Sequence, residues 1–103
     1  MSKKANIDLK QLRAIGHKLK PVVTIAGKGL SEGVFTELDR ALNDHELVKI
    51  KLAVGGSEAR GAIADEICAR LKATQVQTIG NVLIVMRRTK NPDPRLSNLI
   101  RRV

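Results

Sequence analysis

The apolar positions along the chain change their spacing repeatedly, and each change marks an element. Leu9, Leu12, Gly16 and Leu19 recur at helical intervals, with Lys10, Arg13, Lys18 and Lys20 on the other sides. Asp8 and Gln11 stand at capping-box spacing at the start of this helix. Pro21 ends it, because the residue before a proline avoids helical angles. Val22-Val23-Thr24-Ile25 is β-branched throughout and predicts a short buried strand. After Ala26-Gly27-Lys28-Gly29-Leu30, Ser31 is a suitable N-cap and Glu32 suits the first turn of a second helix. Its apolar stripe is Leu30, Val34, Leu38, Ala41 and Leu42, and Asn43-Asp44-His45 marks its end.

From Glu46 to Ala53 the spacing shortens to alternation, with Leu47, Val48, Ile50 and Leu52 among Lys49 and Lys51, as in a half-buried strand. Gly55-Gly56-Ser57 is a turn leading to an N-cap, and Ile63, Ala64, Ile67, Cys68 and Leu71 make the apolar face of a third helix. Gln75–Ile79 and Val82–Arg87 read as two strands joined at Gly80-Asn81, a tight hairpin signal. Beyond Arg88 the chain turns polar, with Pro92 and Pro94, and reads as a loose tail with at most one short helix. The order α-β-α-β-α-β-β predicts an α/β fold, a two-layer α-β sandwich with a four-stranded mixed sheet. Residues 1–88 form the domain in this reading, and 89–103 a basic C-terminal tail.

Composition narrows the function classes. The 103 residues fit one domain, 43% of them are apolar, and the net charge is +9. The charge is uneven: residues 1–28 carry seven basic groups against Asp8, residues 29–66 four against eight acids, and residues 67–103 eight against Asp93. A polyanion partner is implied, nucleic acid before membrane surface, and the two basic ends form one patch if the fold brings them together. A scattered basic surface would give the same total. Cys68 is alone, which excludes an internal disulfide and agrees with a reducing cytoplasm. The start has no apolar signal region, and no apolar run approaches a membrane span.

The loop at 26–29 is the sharpest candidate for chemistry. Glycine lets the backbone approach a ligand, the helix N-terminus favours a phosphate, and Lys28 adds a full charge. KH modules clamp a nucleic-acid backbone with a comparable loop. Read alone, the segment fits a plain strand-to-helix turn equally well. It is no P-loop, since Val22 occupies the position of the first glycine and Gly29 that of the Ser or Thr. Nor can a dinucleotide fingerprint be drawn. His17 and His45 lack partners at metal-ligand spacing, so a structural role is favoured for both, with His17 also placed to touch phosphate. Cys68 lies on an apolar helix face with no base in view, and Glu37, Asp39, Asp65 and Glu66 read as a solvated helix surface. Phe35 is the only aromatic residue, so stacking of bases on a sheet in the manner of an RRM is excluded.

Several stretches taken together resemble the CRM domain (chloroplast RNA splicing and ribosome maturation) in its stand-alone bacterial YhbY-like form. They are Leu12-Arg13 through His17-Lys18-Leu19, Pro21-Val22-Val23, Gly29-Leu30-Ser31-Glu32, Ala41-Leu42 through His45 to Lys51, and Val76-Gln77-Thr78-Ile79-Gly80. The resemblance covers roughly residues 9–88. It implies a fold similar to the C-terminal domain of translation initiation factor three, and RNA binding without catalysis. It also implies association with precursors of the large ribosomal subunit. Relatives in plant organelles act in intron splicing. The family loop reads Gly-x-x-Gly, and here Ala26 stands at the first glycine, Gly29 at the second, and Gly27 is displaced inward.

The leading expectation is therefore a monomeric, cytoplasmic RNA-binding factor of ribosome assembly, with no metal, cofactor or small-molecule substrate. Arg13, His17, Lys18, Lys20, Lys28, Arg87 and Arg88 would contact RNA, and Gly27 and Gly29 would shape the loop. The alternative is a basic adaptor docking on an acidic protein partner, with RNA binding incidental. A small enzyme acting on a phosphate ligand is the weakest reading, because no base, metal set or nucleophile is visible.

Overall fold

The computed structural model describes residues 8–27 and 29–100. The chain forms α1 (Leu9–Lys18), β1 (Pro21–Ile25), α2 (Glu32–His45), β2 (Leu47–Leu52), α3 (Ser57–Leu71), β3 (Thr74–Ile79) and β4 (Val82–Met86). The order is the one the periodicity predicts. Asp8 Oδ1 accepts from the Gln11 N–H at 2.8 Å and Gln11 Oε1 accepts from the Asp8 N–H at 3.1 Å, closing the capping box. Ser31 Oγ likewise accepts from the Val34 N–H at 3.2 Å. No helix among the described residues is long and apolar enough to cross a membrane.

The four strands lie in the order β1-β2-β4-β3. The β1–β2 pair is parallel, as two strands joined through a helix can be, and the other two pairs are antiparallel. The β3–β4 hairpin turns at Gly80-Asn81, where Gly80 takes φ +55°. One face of the sheet presents Val23, Ile25, Val48, Ile50, Leu52, Leu83 and Val85 to α2 and α3. Phe35, Leu38 and Leu42 of α2 and Ala64, Ile67 and Leu71 of α3 complete this main core. This is the expected α-β sandwich with its four-stranded mixed sheet.

The other face carries a smaller cluster. Leu47, Val76 and Ile84 meet Leu12 of α1 and Leu99 from the chain's end. The helix comes in close because Gly16 lies over Ile84. A Cβ at Gly16 would stand 2.8 Å from two side-chain carbons of Ile84, closer than carbon atoms tolerate. Gly16 belongs to the predicted stripe, and its role there is to lack a side chain.

The segment expected to be a loose tail is packed instead. Ser97, Asn98 and Leu99 are buried. Ser97 Oγ donates to Glu46 Oε1 at 2.7 Å, and the Thr89 N–H donates to Glu46 Oε2 at 2.7 Å. Asn98 Nδ2 donates to the Leu47 carbonyl at 2.7 Å, and its backbone N–H donates to the His45 carbonyl at 2.9 Å. The His45 ring, placed at a helix end as expected, bonds through Nδ1 to the Leu96 carbonyl at 2.9 Å. Glu46 itself sits at φ +63° and ψ −38°, a sparsely populated conformation that costs a non-glycine residue about 1–3 kcal/mol. The turn from α2 into β2 directs its carboxylate inward, and the polar residues after Arg88 supply its partners.

Replacing Glu46 with Ala should strand the buried Ser97 hydroxyl and the Thr89 N–H. We expect Glu46→Ala to cost about 2–4 kcal/mol and to lower the urea midpoint. The measurement is equilibrium unfolding by circular dichroism, and a midpoint equal to wild type would show that this carboxylate does not hold the segment.

Candidate nucleic-acid interface

The parallel pairing of β1 and β2 decides where the loops fall. Strand β1 ends beside Leu52, and β4 begins opposite Lys51. The loop after β1, the turn before α3 and the β3–β4 turn therefore gather at one end of the sheet. Backbone bonds tie them together: the Ala53 N–H donates to the Ile25 carbonyl at 2.7 Å, and the Leu52 N–H to the Asn81 carbonyl at 2.6 Å. The N-termini of α2 and α3 both open at this end, so their dipoles place positive charge there.

Within the loop, the Gly29 N–H donates to the Ala26 carbonyl at 2.8 Å, which closes a four-residue turn. Gly29 takes φ +76° and is the loop's only described residue with positive φ. Ala26 does not lie at positive φ, so its position requires no glycine. A Cβ at Gly27 would meet nothing within 4 Å, so this position stays open to whatever approaches the backbone. Lys28 lies outside the described residues. The loop leads through Leu30 to the Ser31 cap. Glu32, in the first turn of α2, would oppose an anion there, but Arg70 of α3 holds its carboxylate, with Nη2 at 2.6 Å from both oxygens. The guanidinium of Arg70 also lies 4.1 Å over the Phe35 ring.

The expected basic residues separate into groups. Arg13, His17, Lys18 and Lys20 are exposed on or just after α1. Lys18 and Lys20 stand next to the start of β1, whereas the glycine loop stands at its end, about 17 Å away for five residues of strand. The structure does not bring these two groups into contact. Arg88 is exposed at the end of β4, on the α1 side of that separation. Arg87 does not fit a phosphate contact. Its guanidinium donates to Asp39 Oδ1 at 2.9 Å, the Asp39 carbonyl at 3.0 Å, Asn43 Oδ1 at 3.0 Å and the Leu71 carbonyl at 2.9 Å. These bonds join α2 to the end of α3, where an unpaired helix carbonyl attracts a cation. Asp39, expected on a solvated surface, is its ion-pair partner.

Sequence reasoning left Lys49 and Lys51 as the polar side of a strand. In the structure both occupy the sheet face that carries α1. Lys49 Nζ donates to the His17 carbonyl at 2.9 Å, at the end of α1, and Lys51 is exposed one residue pair further on. The available signal was the alternation itself, which puts basic side chains at both outward positions of the central strand. Among the described residues no group of three or more His, Cys, Asp and Glu side chains could hold a metal. The Cys68 thiol is pushed above its ordinary range by burial, and further by the negative charge of Asp65, so at neutral pH it is a poor nucleophile.

An α/β domain with this sheet order, a glycine turn at a helix N-terminus and basic exposed faces defines a small α/β binding module. The chain belongs to the CRS1 / YhbY (CRM) domain family, whose model matches residues 5–87. It is 50% identical over 92 residues to a Pseudomonas aeruginosa protein named Probable RNA-binding protein PA4753, a span covering 89% of this chain and 88% of that one. A Haemophilus influenzae protein named RNA-binding protein is 46% identical over 76 residues, or 74% of this chain and 77% of its own. The solution structure of SAV1595 from Staphylococcus aureus shares the fold, with a TM-score of 0.73 at 23% identity over 81% of this chain and 86% of that one.

Two outcomes follow from this geometry. Gly29→Ala should cost about 1–2 kcal/mol, because alanine is strained at positive φ, while Gly27→Ala should stay within about 0.5 kcal/mol of wild type. Equal urea midpoints for the two variants would contradict the turn described. Cys68 should react with iodoacetamide at neutral pH more slowly than a free thiol. Its rate should climb only as pH passes above the ordinary thiol range, and urea should restore normal reactivity; a fast folded-state reaction near pH 7 would refute the raised pKa.

Proposed function

We propose that this protein is an RNA-binding, non-catalytic factor that associates as a cytoplasmic monomer with precursors of the large ribosomal subunit. The glycine loop grips the RNA backbone, and exposed basic side chains of α1 add contacts. The observation that carries the reading is Gly29 at φ +76° in a closed turn at the capped start of α2, where backbone N–H groups and the helix dipole suit a phosphate. Lys28, between Gly27 and Gly29 in the sequence, adds a full positive charge. Membership of the CRM family and the names of the two bacterial relatives support RNA as the polyanion. With Phe35 buried in the main core and no other aromatic residue, binding rests on phosphate contacts and RNA shape, and falls steeply with salt.

Lys28→Ala should weaken binding to RNAs of different sequence by similar factors, and lower the slope of log K against log salt by about one. Fluorescence anisotropy across a potassium chloride series reads both. If slope and affinity both match wild type, the loop is not in the interface. Gradient sedimentation of cell extract tests the ribosomal assignment: the protein should travel with large-subunit precursors and leave them after nuclease treatment. Nuclease-resistant attachment to a protein would favour the basic adaptor instead.

A further inference from the structure

Helix α1 roofs only part of its sheet face. It reaches Ile84 through Gly16, and beyond it Thr24, Lys51 and Ile79 are exposed. Strand pairing lays two rows of side chains across this face. One row is Thr24, Lys51, Val82 and Ile79; the other is Lys49, Ile84 and Gln77. Thr24 and Lys51 are exposed, Val82 is half-buried, and Ile79 is 61% exposed, more than any other large apolar side chain among the described residues. Between this rim and α1 is a cavity of about 200 Å3 lined by His17, Lys49, Gln77, Ile79, Val82 and Ile84.

The composition of this surface is specific. Its centre is aliphatic, with an isoleucine and a valine side by side on adjacent strands. Two lysines and a histidine border it, and one of the lysines is held in place by the end of α1. An ammonium has three donors, so Lys49 keeps donors to spare beyond its bond to the His17 carbonyl. Among the described residues no carboxylate lines the cavity. An apolar strip bordered by basic side chains matches a chain that alternates flat, weakly polar groups with anionic ones. An unpaired ribose-phosphate chain is such a ligand. A duplex is not, because its base faces are stacked and only edges, hydroxyls and phosphates reach its surface. The face is also continuous with the glycine loop, since Thr24 precedes that loop by a single strand residue, and it spans three inter-strand spacings, about 14 Å.

We propose that this open sheet face is a second RNA-contacting surface, which holds an unpaired stretch of RNA leading away from the glycine loop. Ile79 and Val82 pack against ribose and base faces, the Gln77 amide meets base edges, and Lys49, Lys51 and His17 lie along the phosphates. The proposal rests on the RNA-binding reading and adds to it a preference for single strands and a surface that produces it.

The test uses the full chain, a labelled uridine oligomer of about a dozen nucleotides, and an RNA duplex of matched length. Ile79 and Lys51 are exposed, so Ile79→Ala and Lys51→Ala should unfold at the wild-type urea midpoint. Ile79→Ala should weaken binding to the oligomer about five-fold without changing the salt slope, and alter duplex binding less than about two-fold. Lys51→Ala should weaken oligomer binding and lower its slope by about one. Lys28→Ala should weaken both RNAs. If Ile79→Ala leaves oligomer affinity unchanged, or weakens oligomer and duplex alike, the sheet face is not a single-strand surface, even while the Lys28→Ala effect preserves the loop. Failure of the wild-type chain to bind either RNA would remove the RNA-binding reading itself. Loss of a nuclease-resistant protein partner in Ile79→Ala, with RNA binding intact, would assign the face to protein docking and overturn the proposal.

Discussion

Strand β2 must be apolar along its whole length on one face, and on the other only at its first residue. Val48, Ile50 and Leu52 close the main core beneath α2 and α3, while Leu47 alone joins the cluster under α1. Because β2 pairs with both β1 and β4, its pattern sets the character of both faces of the sheet. The main-core face is continuous and buried. The other is apolar near Leu47, then basic at Lys49 and Lys51. Helix α1 and residues 97–99 cover the first part, the end of α1 holds Lys49, and the face from Lys51 onward stays open. A substitution that made Lys51 apolar would ask for a longer roof than α1 provides.

The elements were legible because their periods are clean and their ends carry specific residues. The Asp8–Gln11 box, Ser31 and Gly80 each perform the local task their residue type suggests. The C-terminal segment was illegible for a physical reason. Its anchors are single polar bonds from Ser97 and Asn98 to Glu46 and Leu47, far away in the chain, and no periodicity announces such a bond. Arg87 illustrates the same limit. A basic residue at a strand end looks identical in sequence whether it meets a phosphate or, as here, the last carbonyl of a helix.

The candidate interface was half legible. The glycine loop could be read from its setting between a β-branched strand and a capped helix, and Gly29 there takes a positive φ that favours glycine. Alternation revealed Lys49 and Lys51 as outward-facing but could not say what they faced. Nor could it say that the expected patch divides, with the α1 cations at one end of β1 and the loop at the other. The proposed RNA path joins these two regions across the open sheet, which gives the separated charges a common use.

The bonds from Glu46 to Ser97 and from Leu47 to Asn98 also bear on how the protein is made. Each closes a span of 51 residues. During synthesis β1, α2 and β2 emerge early, but the turn at Glu46 holds a carboxylate whose buried partners are still untranslated. The half-finished domain must keep that charge in water, with the α1 side of the sheet uncovered, until residues 97–99 clear the exit channel. Burial of the Glu46 carboxylate is therefore completed only once residues 97–99 are in place, however early the main core forms.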